Sequence, residues 1–170
     1  GSLCNNHAQP TFEADKAQAV ANVQAILADK PADMIITTHV CRGNYKSSYL
    51  LTGAYDPVAY GLFGQTNYDG YFLEYDDERS GGFEPLKHFT NNKGRVVLGL
   101  ISSKFPELED KEAIKARIQE AAKYVPLEQL CLSPQCGFAS TEEGNVMTEA
   151  QQWAKVRHVE EIAKEVWGED

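Results

Sequence analysis

Between Phe12 and Lys30, apolar residues recur at Val20, Val23 and Ile26-Leu27, the spacing of one helix face, and Pro31 closes the segment; a helix is predicted there. Met34 to Val40 is a short β-branched run bounded by Pro31 and Gly43, which predicts a first strand. Asp56-Pro57 supplies an N-cap with proline at the first helical position and Gly64 a stop, predicting a short helix. Tyr71 to Tyr75 reads as a second strand, entered through Asp69-Gly70 and left through the polar stretch from Asp76 to Gly82. A brief helix is predicted from Glu84 to Phe89, and the wholly apolar Val96 to Ile101 forms a third strand buried on both faces. Asp110 to Tyr124 carries Ile114, Ile118, Ala121 and Ala122 at helical spacing, and Leu130 to Ser133 gives a fourth strand after Pro126. Thr148 with Gln151 forms a capping box, and Trp153, Val156, Val159, Ile162, Val166 and Trp167 stripe a last helix.

Strand and helix alternate with connections that imply parallel pairing and right-handed crossovers, so the fold class is α/β. Four parallel strands with their helices make about half of a (β/α)8 barrel, which needs roughly 250 residues to close. A chain of 170 residues does not close one alone. Its open edges invite pairing, so self-association or a complementary half-barrel chain is expected. Residues 1–10 show no periodicity and Gly1-Ser2 reads as a tag scar, which leaves 11–170 as one domain.

Sixteen basic against 25 acidic residues give a net charge of −9, which repels phosphate backbones and anionic lipid. Neither nucleic acid nor a membrane surface is an expected partner. No run approaches the length of a membrane span and no leader pattern opens the chain, so the expected location is cytoplasmic. Cysteines at 4, 41, 131 and 136 lack the repeated spacing of a disulfide framework, and reduced thiols are expected.

Candidate chemistry gathers at the carboxyl ends of the predicted strands. His39 and Cys41 are two apart on a strand and leave the same face. Such a pair alone is weak evidence, since a lone His-x-Cys is more often packing than a metal site. Glu74 closes the second strand in an apolar setting, where a carboxylate needs a cation, a hydrogen bond or water; a salt bridge is the structural alternative. Cys136 follows the fourth strand in a Pro-Gln-Cys-Gly turn. In parallel α/β folds the carboxyl edge is where sites are built, and two thiolates, an imidazole and a carboxylate suit zinc. The set is scattered over the sequence, unlike the paired knuckles of a structural zinc module, so a catalytic site is expected.

Thr38-His39-Val40-Cys41-Arg42-Gly43-Asn44, Phe72-Leu73-Glu74-Tyr75-Asp76 and Leu132-Ser133-Pro134-Gln135-Cys136-Gly137-Phe138-Ala139-Ser140 resemble the cobalamin-independent methionine synthase family, especially its short single-barrel bacterial members. The resemblance runs from about Lys30 to Gly168. It implies the last four strands of a (β/α)8 barrel, zinc bound by His39, Cys41, Glu74 and Cys136, and methyl transfer from a methyltetrahydrofolate to the thiol of homocysteine in methionine biosynthesis. Coordination deprotonates a thiol whose ordinary pKa is about 8.5, giving a nucleophile at neutral pH.

Two departures qualify what the resemblance implies. Family members with established methionine synthase activity carry a histidine after the seventh barrel strand, where this sequence reads Ile101-Ser102-Ser103-Lys104, so the methyl donor stays open. The homocysteine contacts of the family come largely from the first half of the barrel. A non-catalytic zinc-binding subunit and an alkyltransferase for another thiol are the alternatives. Asp76 and Arg79 belong to a loop that is either solvated or in contact with substrate, and Asn44 and Gln135 stand beside ligands that they could orient. Cys131 reads as a buried small hydrophobe, and Cys4, His7, His88 and His158 as surface positions.

Overall fold

In the computed structural model four short strands lie side by side in chain order, all parallel: β1 (Thr37–Val40), β2 (Gly70–Glu74), β3 (Arg95–Ile101) and β4 (Leu130–Pro134). The structure describes residues 11–139 and 141–168. The tag-scar reading of residues 1–10, with Cys4 and His7, lies outside the described residues.

Among the described residues three α-helices accompany the sheet: α1 (Phe12–Ala28), α2 (Lys111–Ala121) and α3 (Glu149–Trp167). Asp110 caps α2 by accepting the Ala113 N–H, and Thr148 and Gln151 close the predicted capping box on α3. These side chains satisfy amide groups that the first helical turn leaves without partners. Alternation along β2 sends Tyr71 and Leu73 into the core, and Tyr75 just past its end follows them; there they join Leu98 and Leu100 of β3, Ile114 and Ile118 of α2 and Ile162 of α3. On the opposite face His39, Phe72, Val97 and Cys131 stand in register across the four strands. That face is uncovered enough for Phe72 to be 39% exposed.

Several expectations are adjusted. The first strand begins at Thr37 rather than Met34, because Asp69 meets the backbone of Ile36 just before the ladder starts: its N–H donates to Ile36 O and its carboxylate accepts the Ile36 N–H. Met34 and Ile35 are therefore exposed. The segment after Asp56-Pro57 is a turn leading into a π-helical turn, Tyr60–Gly64, not an α-helix. Glu84–His88 is a 3-10 helix. Trp153 does not join the buried stripe of α3 but is 54% exposed, with its indole N–H donated to Glu149. His158 is buried rather than superficial, its Nε2 lying 2.7 Å from Glu109 O. His88 is half-buried against Tyr60, and Cys131 is half-buried on the uncovered face. β3 is buried from Val96 to Ile101, as its apolar run predicts.

Candidate metal centre

The register sets the site. Two positions beyond the row of His39 and Phe72, Glu74 pairs with Gly99 and Gly99 with Ser133, while Cys41 stands just past the end of β1. The close approach of β2 to β3 here requires glycine, since a Cβ at Gly99 would lie 2.6 Å from Leu73 O. A register shift between Gly99 and Ile101 then lets Gln135 N donate to Ile101 O, and Cys136 follows in a turn where Gly137 takes a φ of +101°. Only glycine adopts that conformation without strain.

One donor atom each from His39, Cys41 and Cys136 lies within 4.8 Å of the others. His39 is exposed and the two cysteines are half-buried. None of Cys41, Cys131 and Cys136 is in a disulfide. The Cys41 thiol is pulled down to about 4, first by the hydrogen bond from Cys136 and then by that from His39. The Cys136 thiol is pushed up, chiefly by the same hydrogen bond, and the hydrogen bond to Cys41 raises His39. A thiolate flanked by two proton donors is thus poised to exchange those protons for a cation. Donor separations around tetrahedral zinc are roughly 3.5–3.8 Å, given bond lengths of about 2.0–2.3 Å, so a small contraction brings the three donors to that spacing.

Glu74 stands beside this trio rather than within it. Its side chain is fully buried; Oε2 accepts the Arg42 N–H at 2.6 Å, and Oε1 lies 3.3 Å from Arg79 Nη2 and 3.8 Å from Lys104 Nζ. Its charge raises both His39 and Cys136. Of the other candidates, Asn44 Nδ2 donates to Gly137 O at 3.0 Å, joining the loop after β1 to the one after β4. Gln135 Oε1 accepts from Lys104 Nζ at 2.5 Å. Asp76 is raised by burial, with Lys104 Nζ 3.7 Å away. Arg79 bonds Asp77 and lies 3.6 Å over the Tyr49 ring. Among the described residues, Asp76 Oδ1, Arg79 Nη1 and Gln135 Nε2 are buried without a hydrogen-bond partner, the mark of a place where water or a ligand's polar group belongs.

The sequence reading passed over three residues. Arg42 is buried, donates from Nε to Gly53 O at 2.6 Å and lies 4.5 Å over the Tyr55 ring. The Tyr55 hydroxyl accepts the Glu74 N–H at 2.9 Å, and burial pushes its pKa up to about 12. Lys104 is 2% exposed. Adjacency to Cys41 was a signal for Arg42, and a lysine directly after an apolar strand was one for Lys104; nothing local marks Tyr55.

A family model described as the catalytic domain of cobalamin-independent synthase matches residues 2–164. The chain belongs to the cobalamin-independent methionine synthase family. Two Bacillus subtilis proteins of uncharacterised function are close in sequence: YxjG, 57% identical over 146 residues, and YxjH, 58% identical over 141. These alignments take in 86% and 83% of this chain but 39% and 37% of the relatives, so the methionine synthase family member described here spans well under half their length. A Listeria monocytogenes crystal structure, provisionally assigned as a vitamin-B12 independent methionine synthase, superposes with a TM-score of 0.74 at 46% identity, covering 98% of this chain and 45% of that one. A B12-independent methionine synthase from Shewanella sp. W3-18-1, in complex with selenomethionine, has a TM-score of 0.70 at 18% identity over 94% of this chain and 46% of that one, a likeness of fold. The four-stranded parallel sheet with its helices thus matches nearly half of the TIM-barrel domains seen in those structures.

Proposed function

We propose that this chain is the metal-bearing half of a zinc-dependent methyltransferase, in which a homocysteine-like thiol accepts a methyl group from a methyltetrahydrofolate-like donor. The observation that carries the reading is the convergence of His39, Cys41 and Cys136 donors within 4.8 Å, from strands at opposite edges of the sheet. His39, Cys41 and Cys136 would hold zinc, and Glu74 is the adjacent fourth donor. Bound there, zinc supplies a thiolate at neutral pH. The chain's own residues orient the site: Arg42 N–H and Arg79 hold the Glu74 carboxylate, Asn44 ties Gly137 to the loop after β1, and Lys104 holds Gln135. Exposure of His39 leaves one side open to an incoming thiol. Two cysteine ligands stay available in a reducing compartment, which fits the cytoplasm.

A second reading is favoured by the uncovered sheet face, on which Phe72 is 39% exposed. In it the chain binds zinc but transfers no methyl group until a second copy or a complementary half barrel covers that face. Metal analysis of the purified protein, beside Cys136→Ser, tests the shared zinc claim: near-stoichiometric zinc in the parent and strong loss in the variant are expected. A parent that takes up none defeats both readings. Methyl transfer assays with methyltetrahydrofolate and homocysteine, with and without a first-half barrel chain, then separate the two.

A further inference from the structure

We infer that Lys104 is a positioning residue that locks together the two halves of the metal centre that β3 keeps apart. The inference rests on the zinc reading above. β2 and β4 do not touch, because β3 lies between them. Lys104 follows β3, and its ammonium meets partners from both neighbours: Gln135 Oε1 at 2.5 Å on the β4 side, and Asp76 Oδ2 at 3.7 Å and Glu74 Oε1 at 3.8 Å on the β2 side. Gln135 immediately precedes Cys136. A single cation therefore spans from the carboxylate beside the trio to the segment that presents one of its sulfurs.

The loop carrying Lys104 is itself fixed. Lys104 N donates to Ser102 Oγ, Ser102 N donates to Glu109 Oε1 at 2.9 Å, and Asn145 Nδ2 donates to Ser103 O at 2.7 Å. Glu109 is clamped in turn by the fully buried Lys155 at 2.8 Å and by His158 at its carbonyl, both from α3. An anchored backbone limits where the ammonium can go, so the contacts made at its tip are imposed by the fold rather than sampled by a loose side chain. The two carboxylates beside Lys104 counter its charge, which lessens its repulsion of a metal ion bound at the trio. Outer groups that orient ligands typically govern metal affinity by roughly 10–100-fold.

The test uses the full chain and cobalt(II) as a probe, with zinc competition for affinity. Lys104→Met is expected to weaken cobalt and zinc binding about tenfold or more and to alter the thiolate-to-cobalt absorption band, while Lys104→Arg restores part of both. Gln135→Leu, which cuts one arm and keeps the buried ammonium, provides the same readout if Lys104→Met does not fold; a smaller change in the same direction is expected. Unchanged or tighter binding with an unaltered band in these variants, alongside a parent that binds normally, overturns the inference and leaves the zinc reading intact. A parent that binds neither metal overturns both.

Discussion

Arg42 N–H donates to Glu74 Oε2 at 2.6 Å, so the residue after Cys41 fastens the end of β1 to the carboxylate that closes β2. The Arg79 and Lys104 cations face the other oxygen. Glu74→Gln keeps an acceptor for the amide but leaves both cations short of a counter-charge in a buried setting. A loss of about 2–3 kcal/mol in metal-free stability is expected by urea unfolding, below the full cost of breaking a buried pair because Asp76 and Asp77 remain. A change under about 0.5 kcal/mol would show that the carboxylate is not held as described.

Gly99 tests the strand contact beneath the site. Gly99→Ala places a methyl group 2.6 Å from Leu73 O, a backbone atom that can yield only by moving β2. The variant is expected to lose about 1–3 kcal/mol and to bind metal more weakly, measured by thermal unfolding and zinc titration.

Lys155 has no exposed side-chain surface and pairs with Glu109, itself 22% exposed. Lys155→Ala is expected to cost about 3 kcal/mol, at the lower end for a broken buried pair because Glu109 retains some contact with water. Lys155→Met combined with Glu109→Gln should cost less than the sum of the singles, and a double-mutant cycle of unfolding free energies reads the coupling.

Asp69 offers a test in pH. Its pKa is lowered, first by the Ile36 N–H it accepts and then by Lys30. A depressed carboxylate contributes stability above its ordinary value of 3.8 and loses it as pH falls through the folded value. At pH 7 Asp69→Asn is expected to cost about 1 kcal/mol, a modest figure because the side chain is partly exposed and screened. The gap between parent and variant should narrow below about pH 4; a gap independent of pH counts against the assignment.

Phe72 is 39% exposed on the uncovered face of the sheet. If that face is covered by a second copy, Phe72→Ser should shift sedimentation toward the monomer with little change in circular dichroism. A parent already monomeric at high concentration argues against self-pairing.

Elements with a clean periodic pattern were legible in the sequence. The apolar run of β3, the capping box of α3 and the parallel pairing of the strands were all legible in the sequence pattern. The start of β1 was not, because Asp69, far along the chain, takes the Ile36 amide. Trp153 sits on the helical stripe by spacing yet faces out, since nothing in the described structure covers that part of α3. His158 looked superficial among polar neighbours, but Glu109 from another loop supplies the partner that lets it be buried. At the site, residue types marked four candidate donors, and three of the four, His39, Cys41 and Cys136, lie together. Arg42 and Lys104 were marked only by their positions beside Cys41 and after β3, and Tyr55 by nothing local, because all three act through contacts with other elements.

Because Cys41 and Cys136 enter from the two outermost strands, their meeting reports that every strand between them has found its proper neighbour. A slip of one residue in β1 would turn His39 toward the helices. The colour of a thiolate–cobalt complex, followed during refolding, would then time the last step of sheet assembly rather than its first.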